Sequence, residues 1–267
     1  MTITAPRGTQ DFLPEQTGDW QNLEAKIRDV CSLYGCGEIR TPVFESTELF
    51  LRGIGETTDV VTKEMYTFED HGGRSMTLRP ENTASVVRSF LEHKLYGDGK
   101  IHKFYYMGPM FRHDRPQAGR YRQFNQFGVE EIGSQDPAVD AEIIALALQL
   151  FRELGLHDLV LHLNSVGCPA CRPVYRRKLL EFFADKRAGL CEDCQSRLDR
   201  NPLRVLDCKE DGARMLSAGV PLITDYLCAE CESHFEKVQA YLTEVGIPFT
   251  LDPRLVRGSR VNGIPTS

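Results

Sequence analysis

Residues 104–131 read FYYMGPMFRHDRPQAGRYRQFNQFGVEE. Two apolar, aromatic-rich runs flank a stretch that carries Arg112, His113, Arg115, Arg120 and Arg122, which predicts two strands joined by a cationic loop. Side chains alternate faces along a strand, so Phe124, Gln126, Gly128 and Glu130 fall on one side of the second run, and Asn125, Phe127, Val129 and Glu131 on the other. The even-numbered face has the makings of a site. It offers an aromatic plane, an amide, a gap at Gly128 where a ligand can approach the backbone, and a carboxylate, spread over roughly 20 Å. Arginines beside such a face suit a polyphosphate, because a planar guanidinium binds phosphate oxygens through two parallel hydrogen bonds. A plain solvated hairpin is the competing reading, and it leaves Phe124 and Gly128 facing water to no purpose.

The rest of the chain sets bounds on that site. At 267 residues and 41% hydrophobic, the chain has enough apolar material for one large domain and a small one. A net charge of −6 excludes a generally basic nucleic-acid coat, so any RNA contact must be local. The start, MTITAPRGTQDFLPEQ, has no apolar leader, and no run approaches the ~20 apolar residues of a membrane span, which points to a soluble, cytoplasmic protein.

Helical spacing of Trp20, Leu23, Ile27, Val30 and Tyr34 predicts an amphipathic helix ending before Gly35, followed by the extended run GEIRTPVFE. Pro42 removes a ladder donor there, which places that strand at an edge or an interface. Further helices are expected over about 81–96, with Val86, Val87, Phe90 and Leu91 inward, and over about 137–154; VLHLNS and PFTLDP read as strands. Short strands mixed with helices that do not alternate regularly favour an α+β fold with an antiparallel sheet flanked by helices. Composition changes at Gly167. The expected division is a core over 1–166, a helical cysteine-rich insertion over 167–233, a return to the core over 234–258, and a tail over 259–267 without periodicity.

Seven of the nine cysteines lie from Cys168 to Cys231, as CPAC (168–171), CEDC (191–194), Cys208 and CAEC (228–231). A C-x-x-C pair lets two thiolates reach one ion, and two pairs close a tetrahedral structural zinc site. Sequence order favours CPAC with CEDC. Topology favours CPAC with CAEC, because Cys168, Cys171, Cys228 and Cys231 bracket the insertion and an ion there offsets the closure entropy of a long loop. The second pairing is preferred, with His234 as a spare ligand. Reduced cysteines packed as small hydrophobes are the alternative.

The segment FRHDRPQAGRYRQFNQFGVEEIG resembles motif 2 of class II aminoacyl-tRNA synthetases, and of the histidyl-tRNA synthetase family in particular. PRGTQDFLP, TLRPENTASVVR at 77–88, NPLRVLDCK and RLVRG at 254–258 fit the same family, so the resemblance covers about residues 4–258. It implies the class II catalytic fold, homodimerisation through the first helix and the Pro42 strand, and a two-step ligase reaction using histidine, ATP with Mg2+, and tRNA(His). Residue by residue, it puts Arg112 on the α-phosphate with Arg257 opposite, Arg120 on the outer phosphates and Phe124 against adenine. Glu81, Thr83 and Gln126 match the groups that hold the substrate ammonium, and Glu130 the carboxylate that reads the imidazole. Arg115 and Arg122 are left as loop supports. An insertion of this kind is expected at the tRNA acceptor arm, with Arg172, Arg176, Arg177 and Lys178 available.

The departures from the family pattern are specific. Asn82 stands where the family usually carries glycine and is expected to narrow the pocket. Asp114 replaces a glutamate at the adenine edge. After RLVRG the family continues with LDYY, a glycine-rich motif 3 and an anticodon-binding domain, whereas SRVNGIPTS follows here. The chain is therefore expected to behave as a truncated catalytic fragment with a non-native tail, inactive in ATP–pyrophosphate exchange. Two other readings remain: the regulatory subunit of ATP phosphoribosyltransferase, a histidine-sensing relative whose sites tend to be eroded, and a non-catalytic zinc-dependent RNA-binding module. The retained site residues argue against the first, and the absence of a basic balance against the second.

Overall fold

The computed structural model describes residues 3–54, 64–113, 119–199, 201–256, 260–261 and 264–265. Its contacts divide it into two compact units, the first holding most of residues 1–157 and the second most of 158–259.

In the first unit, helix α1 spans Pro14–Leu33. Proline at its start loses no hydrogen bond, since the first amides of a helix have no partner within it. The apolar spacing holds, for Ile27, Val30 and Cys31 are buried. The run after Gly35 is not one strand. It breaks into β1 (Gly37–Glu38) and β2 (Phe44–Ser46), which enter different sheets, with Pro42 in the gap between them. Proline cannot donate to a ladder, and here its place is at the crossover rather than within an edge strand.

Next come α2 (Thr47–Ile54), β3 (Tyr66–Glu69), β4 (Ser75–Leu78) and α3 (Thr83–Glu92). Strands β2, β4 and β3 form one antiparallel sheet. Helix α3 is shorter than its apolar pattern suggests, because Lys94 adopts a left-handed conformation just past its end. Val86 and Phe90 are buried as expected, but Leu91 is 53% exposed.

The two runs quoted above are β5 (His102–Phe111) and β6 (Gln123–Ile132), paired antiparallel over their full length from His102↔Ile132 to Phe111↔Gln123. Strand β1 joins β5 in parallel. Alternation sorts the side chains as the sequence predicts. Tyr105, Met107, Phe127 and Val129 face a core with Ile27 and Val30 of α1 and with Leu146 and Leu150 of helix α4 (Pro137–Glu153). On the opposite face, Phe104, Tyr106, Met110 and Phe124 gather around Val86 of α3.

The second unit contains the parallel pair β7 (Leu161–Leu163) and β8 (Phe249–Leu251) and the helices α5 (Cys171–Phe183), α6 (Glu192–Arg197), α7 (Gly212–Ser217) and α8 (Ala229–Glu244). The cysteine-rich region is helical and has its own core, built from Tyr175, Leu179, Phe183, Leu190, Cys194, Leu198, Val205, Leu206, Met215, Val220 and Ile223. Helix α8 begins inside CAEC and runs on without a break past residue 233. Among the described residues, no helix is long and apolar enough to cross a membrane.

Candidate functional site

The site lies on the even face of β6, beneath the segment that leads from β4 into α3. Three contacts hold that segment in place. The Arg79 carbonyl accepts the Phe111 amide at 3.0 Å, the Pro80 carbonyl accepts Nε of Arg112 at 2.9 Å, and the Thr83 hydroxyl donates to Oε1 of Glu130 at 2.7 Å. Sequence-distant groups are thereby fixed along one strand.

At one end, the Arg112 guanidinium carbon sits 5.2 Å from the centre of the Phe124 ring. A cation at this distance is attracted by the ring face, which sets the guanidinium plane before any ligand arrives. Two residues along, Oε1 of Gln126 is buried and has no hydrogen-bond partner among the described residues. A buried amide oxygen left unpaired costs on the order of 1–3 kcal/mol, so it is a ready acceptor for an incoming N–H.

Glu130 closes the far end. Burial pushes its carboxyl up to about 7, with the nearby Glu81 carboxylate adding to the rise and the Thr83 hydrogen bond opposing it. Tyr106 stands with its hydroxyl 3.5 Å from the same carboxylate oxygen, a long contact. Its phenol is held well above the usual range, first by burial and then by the Glu130 charge.

Gly128 does not leave the opening that its position suggests. Tyr106 is its cross-strand partner, and a Cβ added at Gly128 would fall on the phenol, 2.9 Å from Cε1 and nearer still to Cζ and the hydroxyl. The gap exists, but the ring fills it. Glycine is needed here so that Tyr106 can lie flat across the strand and reach Glu130.

Glu81 caps a helix. Its two carboxylate oxygens accept the backbone amides of Thr83 at 2.6 Å and Ala84 at 3.1 Å, satisfying donors that the first turn of α3 leaves free. The helix end and the Thr83 hydroxyl are thus set by one carboxylate, which remains beside Glu130. Asn82 does not narrow the pocket. It is 1% exposed, and its side-chain oxygen accepts from the Thr41 hydroxyl at 2.7 Å and from Arg79 at 3.2 Å.

Arg79 itself was not singled out from the sequence. It is 5% exposed, and its guanidinium donates to the carbonyls of Pro109 at 2.9 Å and Thr41 at 3.0 Å. Desolvation lowers its pKa. A buried cation solvated by carbonyls pins three segments together behind the site. The sequence signal is faint, since an arginine before proline reads as one more surface charge.

Arg120 lies at the described edge of the loop and is exposed. Asp114, Arg115 and Arg257 fall outside the described residues. The Arg122 amide donates to the Gly8 carbonyl at 2.6 Å, docking the N-terminal arm against the start of β6.

In the second unit, Cys168, Cys171, Cys228 and Cys231 converge, with one ligand atom from each within 4.8 Å of all the others. CPAC therefore meets CAEC and not CEDC. The Cys168 sulfur is 3.5 Å from that of Cys171 and 3.9 Å from that of Cys228. Tetrahedral zinc with bonds of about 2.3 Å separates its sulfurs by roughly 3.8 Å, so the donor set fits the ion. His234 is not a spare ligand; its Nε2 lies 2.7 Å from Asp140. Around CRPVYRRK, Arg172 donates to the carbonyls of Val166 and Gly167, while Lys178 pairs with Glu181 at 2.7 Å.

Comparison with known proteins gives the chain a family. The family model described as histidyl-tRNA synthetase matches residues 8–262. Histidine–tRNA ligases of Desulforamulus reducens and Desulforudis audaxviator are 58% and 60% identical to the chain over 258 residues each. Those alignments cover 97% of this chain and 62% and 61% of the two relatives, so the chain spans about three fifths of their length. Among solved structures, apo histidyl-tRNA synthetase from S. aureus matches with a TM-score of 0.75 at 46% identity, over 96% of this chain and 58% of that one. A Bacillus halodurans protein described as an ATP phosphoribosyltransferase regulatory subunit/histidyl-tRNA synthetase shares the fold at 22% identity and a TM-score of 0.64. A match over nearly the whole chain decides the matter: the chain belongs to the histidyl-tRNA synthetase family.

Proposed function

We propose that the protein carrying this chain is a cytoplasmic histidine–tRNA ligase. It joins histidine to ATP as histidyl-adenylate, releasing pyrophosphate, and then passes the histidyl group to the 3′-terminal ribose of tRNA(His). The observation that supports this reading best is the order of groups on β6. Arg112 against Phe124, the unpaired amide oxygen of Gln126, and the buried Glu130 suit a nucleotide phosphate, an ammonium and an imidazole in succession.

In this reading, adenine stacks on Phe124 and Arg112 binds the α-phosphate, where a permanent cation offsets charge that builds as the histidine carboxylate attacks. Arg257 is assigned to the opposite side of that phosphate and Arg120 to the outer phosphates. ATP enters as its Mg2+ complex, the ion neutralising phosphate charge. Gln126 accepts from the substrate ammonium, with Glu81 and Thr83 alongside. Glu130 takes an N–H of the imidazole. Its carboxyl, poised near neutrality, ionises when a cationic or N–H-bearing ring arrives.

Two partners complete the assignment. A second copy of the chain is proposed to cover the first helix and the Pro42 region, where Leu33, Val43, Phe44 and Phe68 expose apolar side chains. The Cys168, Cys171, Cys228 and Cys231 cluster is assigned a structural zinc ion that closes the neck of the insertion.

The test is histidine-dependent exchange of pyrophosphate into ATP, measured on the protein at its full encoded length. Exchange with histidine alone among the amino acids, reduced at least a hundredfold by Glu130→Ala, is the expected result. Exchange that ignores histidine, or that survives Glu130→Ala intact, overturns the assignment.

A further inference from the structure

A second convergence of sulfur lies within the insertion, apart from the cluster at its neck. Cys191 and Cys194 of CEDC meet Cys208 and the carboxylate of Asp211, with one ligand atom from each within 4.8 Å of every other. The Cys191 and Cys208 sulfurs are 3.9 Å apart, against roughly 3.8 Å between thiolates on a tetrahedral zinc ion. Cys194 is fully buried and belongs to the core of the unit.

Asp211 is the decisive member. A carboxylate that is 2% exposed among thiols needs a reason to be there. One of its oxygens accepts the Cys191 amide at 2.9 Å and the other pairs with Arg214. The Cys194 and Cys191 thiols hydrogen-bond to the same carboxylate, contacts that an ion held by all of these groups would replace. Asp211 ends the turn at 209–211 that leads into α7, whose first residue, Gly212, packs so closely that a Cβ would strike the Leu206 carbonyl oxygen. Cys191 and Cys208 also line an open cleft whose wall carries the carboxylates of Glu192, Asp193, Asp207 and Glu210 as well as three cationic side chains, which gives an ion a way in.

We propose that Cys191, Cys194, Cys208 and Asp211 form a second structural zinc site. Zn2+ displaces three thiol protons on binding, and the resulting cluster of three thiolates, one carboxylate and the ion carries two net negative charges. Arg214 on Asp211 supports the carboxylate from behind, as a hydrogen-bonded partner does for a metal ligand. Thiols packed merely as small hydrophobes do not call for a buried carboxylate in their midst. The two sites are nested. One joins cysteines 60 positions apart at the neck; the other joins cysteines 17 positions apart within the insertion.

The 267-residue chain, purified without chelator, is to be assayed for zinc by plasma mass spectrometry. Two equivalents per chain are expected, one lost in Cys208→Ser and the other in Cys228→Ser. Loading Cys228→Ser with cobalt(II) then reports on the second site alone, and adding Asp211→Cys is expected to raise its thiolate-to-cobalt absorption by about a third as three sulfurs become four. Asp211→Cys in the otherwise unaltered chain, where seven cobalt-bound sulfurs become eight, keeps the proposal testable if a serine variant fails to fold. Zinc content indifferent to both Cys191→Ser and Cys208→Ser, a Cys191–Cys208 disulfide in fresh protein, or a cobalt spectrum unmoved by Asp211→Cys overturns it.

Discussion

The Thr83 hydroxyl donates to Glu130 while the Thr83 amide is held by Glu81, so one threonine at the start of α3 ties two carboxylates together. The pair is unfavourable in the absence of ligand. The Glu81 charge adds to the cost of ionising the buried Glu130, and a cation bound beside them would remove that cost.

Glu130 therefore sets a pH dependence. Its folded pKa of about 7 lies above the ordinary carboxylate value of 4.5, so between those two values the native chain holds more protons than the unfolded one. This group's contribution is neutral below pH 4.5, becomes steadily more destabilising from there to about 7, and is constant above that. Glu130→Gln is expected to raise thermal stability at pH 8, by an amount on the order of 3 kcal/mol, and to leave it unchanged at pH 4. Melting curves at the two pH values check this; equal shifts at both count against a strained carboxylate.

Gly128→Ala is expected to be more damaging than a surface glycine substitution. The added methyl group displaces Tyr106 from across the strand and disturbs its contact with Glu130. A loss of roughly 1–3 kcal/mol is the usual cost of overpacking. Combining it with Tyr106→Leu should restore much of the stability but not histidine binding, which calorimetric titration resolves.

Arg79→Leu takes the guanidinium donor from the carbonyls of Pro109 and Thr41, and leaves the Asn82 side-chain oxygen with the Thr41 hydroxyl alone. We expect a loss of roughly 3 kcal/mol or more, read as a lower urea midpoint. A change under half a kilocalorie would mean those groups find other partners.

Arg112→Lys separates charge from geometry. The lysine keeps the positive charge but loses both the planar contact with Phe124 and the Nε bond to Pro80. ATP affinity is expected to fall roughly tenfold to a hundredfold, or about 1.4–2.8 kcal/mol, with little change in melting temperature. Fluorescence titration with an ATP analogue measures it.

The face assignment along β6 was legible because a ten-residue strand leaves no doubt about a period of two. The choice of CPAC with CAEC followed from closure of a long loop. What the sequence hid has physical causes. GEIRTPVFE divides between two sheets because strands of two and three residues carry too little alternation to place a crossover. Asn82 turns into the protein because a buried arginine offers it a donor, and nothing local in PENT announces that. The occupation of the Gly128 gap depends on the cross-strand partner, which only the register names. Asp211 stands beside Glu210 in KEDGA with nothing local to tell them apart, and only the folded chain puts it among the cysteines.

Two independent apolar centres have a consequence for how the molecule melts. Tyr175, Phe183 and their neighbours share no members with the cluster around Ile27 and Tyr105. Calorimetry is therefore expected to resolve two endotherms, and a chelator should lower only one of them. If the proposed ions bind, removing them would loosen the cysteine-rich unit while the hairpin that carries Glu130 stays folded.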